Sequence, residues 1–361
     1  MRRKLYLILV LPVMLLPLFS CREVYYPEDL NSGKAIPIIR GQIAEDESPT
    51  VVISRAMDYE STVPDYFSGA EVIVSDSKGN EVTLTESMPG HYVDAVSEIS
   101  GTVGTAYKLQ VKMEDGEEFV SSIVTMPERP NMDSLYAEPG TKKATGYNQF
   151  NNPYSVTHEG LYFSSSLSAN GDSTLFYRFN TSVLKESTCM KDPGTLSAKP
   201  MFIWETFTLD YIYSVDFTVK SASGQVRPEH LLGFVRYFYD PTQATVNFSA
   251  PIIIGWVVSL KVYAISSDVY DYYQSVGAQL NSNDQMFAPV PSQVKSNIHC
   301  TTNPELPVIG VFEAISSSTF YKAFRWISLD TYEYINLESF PDNIQAGSKL
   351  NFPPGFWISF N

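Results

Sequence analysis

The chain has 361 residues, of which 40 are acidic and 25 basic, for a net charge of −15, and 44% are hydrophobic. That balance argues against nucleic acid and against general attraction to anionic lipid surfaces. The hydrophobic content suffices for real cores, and the length suggests two domains. The 23 Tyr and 21 Phe favour strands and fill sandwich interiors, so they point to a β-rich body.

The chain opens on Met1-Arg2-Arg3-Lys4, followed by an uncharged, apolar run from Leu5 to Phe19. Positive residues ahead of a short apolar run match the n- and h-regions of a secretory signal. The run is too short to span a bilayer, which takes about 20 apolar residues, and Pro12 and Pro17 would kink it. Its end, Leu18-Phe19-Ser20-Cys21, resembles a bacterial lipobox, with Phe19 bulkier than usual. The resemblance implies cleavage after residue 20 and lipid on Cys21. Several acyl chains on one residue anchor stably without a transmembrane helix. Residues 21–34 then read as a short polar tether. Arg22 stands where inner-membrane retention uses Asp, and Glu23, Glu28 and Asp29 make the tether acidic, similar to surface-export tethers of Bacteroidota. The expected location is the outer membrane, lipid-anchored and facing outward.

From 35 to 128 the pattern is that of a small all-β sandwich, Ig-like or transthyretin-like. Thr50–Ser54 is a β-branched run, and Ala70, Val72 and Val74 alternate into a turn at Asp76–Asn80. Tyr107, Leu109, Val111 and Met113 share a face, and Asp115-Gly116 supplies a tight hairpin turn before Phe119. Pro127 and Pro130 punctuate the end.

From 129 to 361 the chain reads as a larger β-rich domain with longer connections. Alternation predicts strands at Leu175–Phe179, over the long alternating set from Phe207 to Val219, at Trp256–Ala264, at Val308–Ala314 and at Phe320–Ile327. One helix is predicted over 268–280, with Ser267 as N-cap and Asp268 on the positive end of the dipole. Val269, Tyr272, Tyr273, Val276 and Leu280 share its apolar face. Tyr270, Tyr272 and Tyr273 are either packing aromatics or a partner-facing platform.

With Cys21 assigned to lipid, Cys189 and Cys300 remain as an even pair. They are either bridged, in an oxidising compartment, or two free buried thiols. No Cys-x-x-Cys, His-Glu-x-x-His, Gly-x-Ser-x-Gly or phosphate-binding Gly loop occurs. His91 and His158 fall near turns, His230 in a loop, and His299 beside Cys300, where neighbours on a strand point apart. No metal site, cofactor or catalytic residue is predicted.

The order of features resembles one family. Gly41-Gln42-Ile43, Gly69-Ala70-Glu71-Val72 and Pro89-Gly90-His91-Tyr92 are followed by Val269-Tyr270-Asp271-Tyr272-Tyr273 and Phe287-Ala288-Pro289-Val290-Pro291. Val294–Ile298, Val308–Ala314 and a Pro354-Gly355-Phe356-Trp357 finish complete the set. Together with the lipobox these are similar to the Bacteroidota outer-membrane lipoproteins called domain of unknown function 4249. Members often carry additional Cys near the end, and this chain has none after Cys300. The resemblance implies a non-enzymatic accessory or binding component that works with a TonB-dependent outer-membrane transporter. It brings no catalytic residues. A surface adhesin or pilus-type subunit is the alternative, and a glycan-binding module, resting on the aromatic content, is the third.

Overall fold

The computed structural model describes residues 36–56, 65–168, 175–192, 194–209, 215–218, 230–236, 252–282, 294–328, 331–336 and 349–350. The expected signal segment and tether, with Cys21, and the stretches Phe287–Pro291 and Pro354–Trp357 lie outside them. Residues Pro37–Asn361 form one compact unit, mostly β with one helix among the described residues.

The strands in chain order are β1 (Pro37–Ala44), β2 (Thr50–Arg55), β3 (Glu71–Asp76), β4 (Glu81–Thr83), β5 (Thr85–Met88), β6 (His91–Val93), β7 (Ala106–Lys112), β8 (Glu118–Ser121) and β9 (Val124–Thr125). After them come β10 (Asn131–Tyr147), β11 (Pro153–Ser168), β12 (Leu175–Lys191), β13 (Lys199–Thr208), β14 (Val215–Thr218), β15 (His230–Arg236) and β16 (Ile252–Ile265). Helix α1 (Ser267–Ser282) precedes β17 (Ile298–Cys300), β18 (Ile309–Ser328), β19 (Thr331–Asn336) and β20 (Lys349–Leu350).

One large sheet carries the molecule, in the order β20-β13-β12-β16-β18-β1-β2-β6-β5, with β14 also on β12 and β19 on β18. Two smaller sheets face it. The first, β17-β8-β7-β3-β4 with β9, encloses a core of Ile39, Ile43, Val51, Ile53, Val72, Val74, Leu109, Phe119 and Phe312. The second, β10-β11-β15, covers Leu161, Phe163, Tyr177, Phe179, Trp256, Val258, Leu260, Val262 and Phe324. These sets are the period-two faces of their strands, so burying one face against a second sheet satisfies the sequence pattern. Tyrosines serve here as core pieces with a polar handle. Tyr92 accepts from Ala70 N and donates to Phe67 O, and Tyr107 does the same with Thr102 N and Ser100 O.

Strand β18 joins the two cores. Its even-numbered residues lie on one face: Phe312 and Ala314 enter the first core, Phe320 and Phe324 the second. Its first half runs parallel to β1, with Ile38 opposite Ile309 and Ala44 opposite Ile315. Its second half pairs antiparallel with β16. Gly310 permits the parallel contact, since a Cβ there would lie 2.0 Å from the Ile39 carbonyl oxygen.

Several expectations change. Residues 35–128 do not close the first sandwich alone, because β17 and the start of β18 supply Ile298, Cys300, Phe312 and Ala314 to its core. The expected strands at 308–314 and 320–327 are one strand, since Ser316–Thr319 continue the ladder opposite Lys261–Ala264. Of the alternating set Phe207–Val219, Phe207 lies in β13 and Val215 and Phe217 in β14, both of which pair with β12, while Tyr211, Tyr213 and Val219 lie outside the described residues. Residues 131–168, which carry no long alternating apolar run, form a long hairpin. His230 opens β15 rather than sitting in a loop.

Replacing Phe312 by Ala removes a fully buried ring where β1, β7 and β18 meet. The expected cost is about 3–5 kcal/mol, read as a lowered midpoint in denaturant unfolding with an unchanged slope.

Candidate functional site

Helix α1 lies on the face of the large sheet opposite the two cores. Ser266, one residue earlier than expected, caps it: its Oγ accepts from Val269 N at 3.4 Å, and its carbonyl accepts from Tyr270 N. Of the expected apolar face, Val269, Tyr272 and Tyr273 are buried and Val276 partly so, Tyr270 joins them, and the Leu280 side chain lies outside the described set. Val269, Tyr270, Tyr272 and Tyr273 are buried against Ile265, Val311 and Ile315. Tyr270 tilts against Phe176, and Tyr272 meets Tyr273 edge-on. The three tyrosines are thus placed in packing rather than presented to solvent.

Beneath the helix sits a buried charged cluster. Glu313 of β18 and Arg178 of β12 meet at 3.2 Å, with side chains 6% and 11% exposed. Tyr273 donates its hydroxyl to Glu313 Oε1 at 3.1 Å. The Arg178 guanidinium lies 4.3 Å from the Tyr263 ring centre and 5.0 Å from that of Tyr273. Burial draws the Arg178 pKa down, but Glu313 and the two tyrosines outweigh it and hold it above its ordinary value. Burial, reinforced by Glu313, pushes the Tyr273 hydroxyl above the ordinary tyrosine range. Arg178 Nε has no hydrogen-bond partner among the described residues. The group therefore holds one carboxylate, one guanidinium and one neutral phenol in a buried layer between helix and sheet. This chemistry orients the helix and ties β12 to β18.

A cleft of about 330 Å³ lies between the start of α1 and the approach to β17. Asp268 accepts from Ser122 Oγ at 3.3 Å, and Asp271 pairs with Lys295 at 3.0 Å. Its floor is already engaged: Asn297 donates Nδ2–H to Phe312 O at 2.8 Å and accepts from Phe312 N at 2.9 Å. Ser296 Oγ donates to Gly310 O. These side chains satisfy the edge of β18 where β16 has already ended. His299 projects into the cleft's rim while Cys300 is buried on the other side of β17, as adjacent strand positions require. Among the described residues no three His, Cys, Asp or Glu come together to hold a metal ion.

Cys300 is a free, buried thiol, with Sγ 3.3 Å from Thr302 Oγ1. Of the two alternatives open for the cysteine pair, the free thiol is therefore the one seen at Cys300. Cys189 lies in β12 opposite Met201, and its side chain is outside the described set. The remaining histidines serve locally. His91 packs on Tyr66, and His230 stacks on Phe179 while meeting Asp216 at 2.9 Å.

The Arg178–Glu313–Tyr273 group was not foreseen. Arg178 sits between Tyr177 and Phe179, and alternation puts it on the face opposite the core, which reads as solvent. Only the docking of α1 buries that face.

Glu313→Gln leaves Arg178 buried without its counter-charge and is expected to cost about 3–5 kcal/mol. Tyr273→Phe is expected to cost about 1.5–3 kcal/mol. An acid whose folded pKa is raised holds its proton more tightly when folded. Its contribution is complete below the unfolded tyrosine value of about 10 and is lost as pH rises toward the folded value. Unfolding free energy measured against pH should therefore fall above that point, and less steeply in Tyr273→Phe. Separately, Cys300 should resist alkylation in the native protein and react fully after denaturation, with or without reductant.

Comparison with known proteins places these features in a family. The family model described as a domain of unknown function (DUF4249) matches residues 26–320, which span both sandwiches, the helix and the first half of β18. No curated protein and no solved structure matches the chain. The match covers most of the sequence, and the chain belongs to the family of domain of unknown function 4249.

Proposed function

We propose that the protein is a non-enzymatic, lipid-anchored outer-membrane component that assists a TonB-dependent transporter. The observation that carries this is the opening segment, Met1–Cys21: three basic residues, an apolar run and a terminal Leu18-Phe19-Ser20-Cys21. Acylation of Cys21 would hold the body at a bilayer without a spanning helix. The acidic tether favours the outer membrane and its outward face. Family membership supports the partnership, because the resemblance implies an accessory role beside such transporters.

The body is consistent with binding rather than turnover. Its buried polar groups at Glu313 and Asn297 are spent on holding helix to sheet and strand to strand. The proposal therefore gives the β body a scaffolding task, with the ligand or partner contacted on its surface.

Cells grown with labelled palmitate should incorporate label into the wild-type protein and none into Cys21→Ala. Extraction in mild detergent and affinity capture should recover a large barrel protein with the acylated form. Absence of label would remove the anchor, and repeated recovery of the acylated protein alone would remove the transporter partnership.

A further inference from the structure

The hairpin β10–β11 outruns its sheet. Among the described residues, β15 pairs with β11 from Gly160 to Ser165. β10 and β11 continue together as far as Tyr147 opposite Pro153. Over residues 141–159 every side chain is exposed or half-buried, on both faces of the ribbon. At roughly 3.4 Å per residue the tip of this two-stranded stretch lies about 24 Å beyond the last three-stranded pair among the described residues.

Its tip is a closed turn. Asn148 Oδ1 accepts from Phe150 N at 2.9 Å and from Asn152 N at 3.0 Å. Asn151 N donates to Asn148 O, and Asn148 N to Asn152 O. The backbone donors of the turn are thus largely satisfied from within. Phe150 stands on this turn 74% exposed, flanked by Tyr147 at 63% and Tyr154 at 53%. Gly146 lets the Tyr154 ring lie flat across the ribbon, since a Cβ there would come within 2.9 Å of Tyr154 Cζ.

The charge of this segment is the reverse of the rest. The ribbon over 141–159 carries Lys142, Lys143 and His158, and its single acid, Glu159, stands at its base opposite Thr141, in a chain with 40 acidic residues. The acidic body is set back by the ribbon's length, about two to three times the Debye length of ~8–10 Å at physiological salt. Its repulsion of an anionic surface is screened at the tip.

We infer that the β10–β11 tip docks into the lipid–water interface of an anionic bilayer. Phe150 enters the acyl boundary, Tyr147 and Tyr154 sit at headgroup depth, and Lys142 and Lys143 meet lipid phosphates. Amphipathic aromatic rings favour that depth. A turn with internally paired donors loses little when it leaves water. Lysines near the surface add attraction that falls off within a Debye length. The docking goes beyond the anchoring assigned to Cys21, because it needs no acyl chain.

The test uses the full chain with vesicles of phosphatidylethanolamine and phosphatidylglycerol that contain a photoactivatable phosphatidylglycerol. Adducts are mapped by peptide mass after illumination. The expected result is labelling within Tyr147–Tyr154, lost in Phe150→Ser combined with Tyr154→Ser at an unchanged unfolding midpoint. Lys142→Gln should weaken vesicle binding about fivefold at low salt. No adduct in the hairpin overturns the inference. So does lipid labelling that stays absent while a membrane-protein extract shields the hairpin, which would assign the tip to a protein partner. Adducts near residue 21 alone would support the anchor and reject the finger; adducts in the hairpin alone would do the opposite.

Discussion

Everything described here depends on one strand reaching across two cores. β18 packs Phe312 against the first facing sheet and Phe324 against the second, while Val311, Glu313 and Ile315 turn toward the helix. A twenty-residue strand of roughly 65 Å would ordinarily leave long stretches of unpaired backbone. Here each stretch has a partner. β1 takes the first half in parallel, and β19 follows along that edge. β16 takes the opposite edge of the second half. Where β16 stops, Asn297 and Ser296 substitute side-chain groups for a missing strand. The two sandwiches are therefore not beads on a linker but two ends of a shared sheet.

That arrangement explains the buried ion pair. The helix must cover the back of the large sheet, and the covered face includes Arg178 and Glu313. Removing two charges from water is costly, and the cost is offset by mutual pairing, the Tyr273 hydroxyl and the two rings. The pair joins β12 to β18, so it also links helix, second sandwich and first sandwich at one point. Lys322 makes a similar connection on the other side, donating to Leu135 O at the root of the hairpin.

The all-β class, the hairpin at Asp115-Gly116, the helix and most core faces were legible, because each rests on local periodicity or turn chemistry. Trp256 to Ala264 is an example: five alternating apolar residues became five core residues. What escaped was non-local. Ser316-Ser317-Ser318-Thr319 looks like a loop, yet it is strand because β16 runs beside it. Residues 131–168 are polar for most of their length, since much of that hairpin faces water on both sides. Arg178 and Glu313 each look like lone charges on solvent faces, and only tertiary docking brings them together.

The parallel pairing of β1 with β18 also sets an order in time. Ile38 cannot meet Ile309 until nearly the whole chain has emerged. The first strand made is thus among the last to find its partner, and the first core stays open on one side until then. Contacts so distant in sequence make for slow closure and a long-lived, sticky edge. A chain built this way has reason to depend on a chaperone that shields β1 and β2 until the far end arrives.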